Sequence, residues 1–82
     1  MITPHVHLNG TGRAALELQL ETAANALLAA IGALELAAPN ARDYYPLGDD
    51  AYPKARDEHN ARIGKLAEVL HELQAIHETV AG

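Results

Sequence analysis

The residues able to do chemistry crowd into one stretch, from Asn40 to Arg62. It reads Asn-Ala-Arg-Asp-Tyr-Tyr-Pro-Leu-Gly-Asp-Asp-Ala-Tyr-Pro-Lys-Ala-Arg-Asp-Glu-His-Asn-Ala-Arg. All three tyrosines, Tyr44, Tyr45 and Tyr52, lie here, and the chain has no Phe or Trp. Four of its six cationic residues, Arg42, Lys54, Arg56 and Arg62, lie here too. Tyrosine offers a flat face for stacking and a hydroxyl for hydrogen bonding. Arginine offers a planar fork that matches phosphate and carboxylate. Arg42, Tyr44, Tyr45, Tyr52, Arg56, His59 and Arg62 therefore form the candidate ligand-binding set, and the ligand they suit is nucleotide-like. On a helix Tyr52, Arg56 and His59 share a face, and His59 and Arg62 sit one turn apart. A purely structural alternative exists for the same residues. The tyrosines would wedge the linker against the helix ends while the charges pair, Asp43 with Arg42 of a neighbouring chain and Asp49 or Asp50 with Lys54.

Other chemistries find less support. His5 and His7 fall on one side of an extended segment, a spacing that can chelate a transition metal. No HExxH pair and no third acidic ligand accompany them, so a polar surface is expected there and no metal site. No nucleophile elbow, phosphate-cradling glycine loop or cysteine is present. Asp49 and Asp50 are adjacent carboxylates, but their position suits helix capping. His59 lacks a shaped partner for general-base work. The expectation is a protein that is not an enzyme and has no cofactor.

The 82 residues make one domain. Absent cysteines rule out disulfides and thiolate metal sites and suit a reducing compartment. No apolar run reaches the ~20 residues a bilayer crossing takes. The first residues do not read as a secretory signal. A soluble intracellular protein is expected, with no membrane partner. The net charge of −5 argues against nucleic acid as a partner. Its distribution is uneven. From Arg42 to Lys65 the positives Arg42, Lys54, Arg56, Arg62 and Lys65 balance Asp43, Asp49, Asp50, Asp57 and Glu58. The negative excess lies in the flanking segments, which suits a small anionic and polar ligand better than a long polyanion.

Two helices must position this stretch. Arg13 to Ala37 is expected as the first, with Thr11 as N-cap. Leu16, Leu20, Ala23, Leu27, Ala30, Leu34 and Ala37 mark its apolar stripe. Pro39 stops it. Residues 39–49 form a linker that Pro46 and Gly48 keep from being helical throughout. Asp50 is the expected N-cap of the second helix, which runs from about Ala51 to Val80 with Pro53 tolerated in its first turn. Its stripe is Ala55, His59, Ile63, Leu66, Leu70, Leu73, Ile76 and Val80. Gly32 and Gly64 fall inside the helices, either as tolerated cost or at a close contact with another helix. Residues 1–10 form an extended arm or short strand: Ile2, Val6 and Leu8 alternate with polar residues, and Pro4 restricts the strand to an edge. With no second strand in the chain, its pairing partner would be another copy. The fold class expected is all-α: an antiparallel helical hairpin with a short N-terminal strand. The helices carry more apolar surface than one neighbour can cover, so self-association into a helical bundle follows, most simply as a dimer.

The segments His7-Leu8-Asn9-Gly10-Thr11 and Arg42-Asp43-Tyr44-Tyr45-Pro46, followed by Asp50-Ala51, Glu58-His59 and Arg62, resemble small uncharacterised proteins of tailed bacteriophages and prophages. The resemblance implies a phage accessory protein acting in the host cytoplasm. The plan of a tiny, self-associating helical protein with an aromatic–arginine site is also similar, in architecture alone, to phage sponge proteins that sequester immune signalling nucleotides. The expected function is thus anti-defence: a homo-oligomer that binds and sequesters a nucleotide-like small molecule. The alternative is an interaction protein that docks a host or phage protein through the same Tyr/Arg segment.

Overall fold

The computed structural model describes Met1–Gly82 and is all-helical. Helix α1 spans Arg13–Leu36 and helix α2 spans Ala51–Ala81. Between them lie two short 3-10 turns, Ala41–Asp43 and Tyr45–Leu47. The two long helices pack against each other as a hairpin with extents of 62 × 21 × 17 Å.

Local chemistry accounts for the bounds. Leu16 N–H bonds Gly12 O at 3.0 Å, making Gly12 the N-cap of α1 with no side-chain cap. The expected Thr11 cap is thus displaced by one residue, and its hydroxyl captures no first-turn amide. At the other end Ala37 N–H donates to Ala33 O and Leu34 O, and Ala38 N–H to Glu35 O, tightening the last turn ahead of Pro39. Asn40 Oδ1 then accepts from Arg42 N–H at 3.0 Å and starts the first 3-10 turn. Gly48, at φ 111°, sits where a side chain would be strained and turns the chain toward α2. Asp50 occupies the N-cap position of α2 as expected, but in helical geometry and without a side-chain bond. Pro53 falls within the first turn, where its missing N–H costs nothing.

Only His59, Leu70 and Val80 are buried. On α2 the half-buried or buried positions include Ala55, His59, Ile63, Leu66, Leu70, Leu73, Ile76 and Val80, the stripe read from the sequence. On α1 the covered apolar side chains are Leu16, Leu20, Ala24, Leu27, Ile31 and Leu34, with Glu17 and Gly32 also half-buried, while Ala23, Ala30 and Ala37 are exposed. The reading of α1 was therefore rotated. Leucines common to both stripes left the direction open, and contact with α2 selects Ala24 and Ile31 over Ala23 and Ala30. A Cβ added at Gly32 or Gly64 would meet nothing within 4 Å, so neither glycine marks a close approach inside the hairpin. Residues 1–7 form no strand, because one chain supplies no second edge to pair with. No helix is long and apolar enough to cross a membrane.

Candidate functional site

The linker and the first turns of α2 carry the candidate set. Arg42 lies on the first 3-10 turn, exposed and without an ion pair. Tyr44 joins the two turns and is half-buried. Tyr45 begins the second turn and is 76% exposed. Tyr52 is half-buried on the first turn of α2, and the Arg56 guanidinium lies 5.9 Å from its ring centroid. That distance is within cation–π reach. Arg56 Nε also contacts Asp57 Oδ1 at 3.3 Å. Arg62 sits 3.6 Å from Glu58, both well exposed.

His59 has a different position from the rest. Its side chain is buried, and Nε2 lies 2.6 Å from Leu34 O. A carbonyl only accepts, so Nε2 carries the proton. Leu34 O belongs to the last turn of α1, where the i+4 donor is missing and only the 3.1 Å bond from Ala37 N–H remains. The imidazole therefore caps α1 from α2. A ring engaged in this way pins the linker end of the hairpin.

The structure brings Tyr52 and Arg56 together, while Arg42, Tyr44 and Tyr45 lie on the linker turns that lead into the same helix. It does not gather the whole set. Arg56 and Arg62 are separated by about 120° around the helix axis. The linker end has no cavity. The cavity of the hairpin, about 370 Å³, lies along the shafts between Leu20, Glu21, Ala24, Asn25, Leu28, Leu73, Gln74 and His77. Across it His77 Nε2 donates to Glu21 Oε1 at 2.9 Å. Sequence reasoning passed over this groove, because pairing Glu21 with His77 depends on the offset between the helices. The apolar stripes fix which faces meet, not which residues stand level.

In the N-terminal arm the rings of His5 and His7 stack with centroids 6.3 Å apart. His7 Nδ1 accepts from Asn9 N–H at 3.3 Å. No three His, Cys, Asp or Glu side chains gather as a metal-binding group. Of the ion pairs weighed for the linker, neither Asp49 nor Asp50 pairs with Lys54; the arginines of α2 pair with their own helix neighbours instead.

What this arrangement offers is an aromatic and cationic end on a rod, with no cavity of its own. Such a surface can dock against a shaped partner or be closed by one; it does not itself enclose a small molecule. Comparison with protein-family models, with curated proteins and with solved structures finds no match to this chain.

Proposed function

We propose that the chain is a non-enzymatic, self-associating helical module that docks a protein partner through its linker end. One observation carries this reading: Tyr45 stands 76% exposed and Leu47 74% on one 3-10 turn, which follows directly on the turn bearing the exposed Arg42. Aromatic and arginine side chains dominate binding hot spots, and a projecting ring fills a partner's pocket rather than forming one. The resemblance to phage proteins supports a host or phage protein as the partner, in the bacterial cytoplasm. Affinity purification with the wild type and Tyr45→Ala tests it. A stoichiometric partner held by the wild type and lost by a folded Tyr45→Ala variant is expected. A partner held equally by both would overturn the assignment of the surface.

A second reading has its own support. Arg56 over the Tyr52 ring offers a guanidinium and an aromatic face to a nucleotide-like ligand, sequestered as in an immune-signal sponge. Melting with cyclic dinucleotides, ADP-ribose derivatives and free nucleotides decides this. A ligand present at 100 times its Kd stabilises the folded state by about 2.7 kcal/mol. No rise in melting temperature at millimolar ligand rejects the reading.

Self-association belongs to either reading. With three buried residues, the hairpin has almost no interior of its own. Ile2 and Leu8 of the arm stand fully or nearly fully exposed, consistent with strand pairing to a second copy.

A further inference from the structure

The geometry points to one particular face of the hairpin as the seat of a second copy, and to an antiparallel arrangement of the two. This inference rests on the self-association proposed above and specifies its surface and register.

Area provides the first argument. A folded monomer of 8.7 kDa exposes about 4,700 Å² by the scaling of compact proteins. The hairpin exposes 6097 Å². The excess, about 1,400 Å² per chain, would bury about 2,800 Å² in a dimer, within the range of obligate homodimers.

Charge locates the face. The charged residues of α1 are Arg13, Glu17, Glu21 and Glu35. At 100° per residue they fall within an arc of about 80° on one flank, the flank that also lines the Glu21–His77 groove. The opposite flank of α1 carries no charge and exposes Ala23 and Ala30. In an antiparallel hairpin the α2 residues on that same side are Val69 and Ile76 along the shaft, with Glu58 and Arg62, 3.6 Å apart and paired with each other, on the same flank nearer the linker. Val69 is 45% exposed, and Ile76 is half-covered. Small residues on one helix and branched ones on the other make an open apolar trough between half-buried leucines. Laying the same trough of a second copy on it closes a four-helix bundle.

Charge also fixes the register. Lys65 precedes Val69 by four residues and Glu72 follows it by three, both on the outer margin of the trough. A two-fold axis beside Val69, with the two α2 helices antiparallel, sets Lys65 against the partner's Glu72, and does so twice. Placing both linkers at the same end would instead set Lys65 over the uncharged flank of the partner's α1. The antiparallel dimer therefore carries its Tyr/Arg surfaces at opposite ends of the rod. Each acts alone, and the assembly is bivalent.

Sedimentation equilibrium on the full chain tests this with charge variants. The wild type is expected as a dimer. Ala30→Arg, placed in the trough at a position exposed in the single hairpin, is expected to weaken it by about 100-fold or more through a buried unpaired charge. Lys65→Glu is expected to weaken it about tenfold, and the exchange Lys65→Glu with Glu72→Lys to restore it. A monomeric wild type would overturn self-association and this face together. A dimer indifferent to Ala30→Arg would overturn the face and leave self-association standing. Weakening by Lys65→Glu that the exchange variant does not repair would overturn the antiparallel register. Because the exchange variant keeps composition and net charge, its recovery cannot be mistaken for a folding defect.

Discussion

His59→Ala is expected to be the most damaging single substitution on α2. The ring is 8% exposed, and its Nε2–H caps Leu34 O at 2.6 Å. Losing that hydrogen bond costs about 1 kcal/mol net. The carbonyl left behind keeps only the 3.1 Å bond from Ala37 N–H, and the ring's volume becomes a void or a wet notch at the helix crossing. Together these amount to about 2–3 kcal/mol. For a chain of this size each kcal/mol shifts the melting temperature by about 4–8 °C, so a drop of roughly 10–20 °C follows. The assay is thermal denaturation by circular dichroism at one fixed protein concentration, because association makes the midpoint concentration-dependent. His59→Gln, whose amide can still donate, should recover part of the loss. His59→Leu, apolar and of similar bulk, should not recover the hydrogen-bond share. A shift below about 4 °C for His59→Ala, or wild-type melting for His59→Leu, would refute the capping argument.

Three further outcomes are expected. Gly64→Ala should stabilise the protein by up to about 1 kcal/mol in chemical denaturation, since it removes a helix-interior glycine and its Cβ meets nothing; a loss of stability would reveal a helix seated there. Gly48→Ala should cost about 1–2 kcal/mol in the same assay, because its φ of 111° is unfavourable for any side chain. A double-mutant cycle of Glu21→Gln and His77→Ala should return a coupling below about 1 kcal/mol, as both side chains of this pair are partly exposed; a larger value would show that the groove is covered in solution.

The hairpin was legible because its signals are local. Pro39 and Gly48 punctuate, Pro53 tolerates a first turn, and every residue of the stripe read on α2 is covered, with Ala67 and His77 covered beside it. What escaped depends on the mutual placement of the helices. Ala23 and Ala24 are equally plausible contact residues until α2 chooses, and the choice of Ala24 leaves Ala23 facing outward. The cap on α1 moved from Thr11 to Gly12 because a one-residue difference in where the chain enters the helix decides whether a hydroxyl reaches an amide. His59 stood in the candidate ligand set on the strength of its neighbours Arg56 and Arg62. Its bond to a carbonyl 25 residues away is invisible to any reading of spacing along one helix.

The two cross-helix hydrogen bonds have very different reach. His59 to Leu34 closes a loop of 25 residues, and His77 to Glu21 closes one of 56. Contacts nearest the bend thus form at the lowest entropic cost, and each one formed shortens the loop the next must close. The molecule should zip from the linker and fray from its open end, where α1 starts without a side-chain cap. Amide hydrogens around Leu34 and His59 should exchange last, and those near Arg13 and Thr79 first.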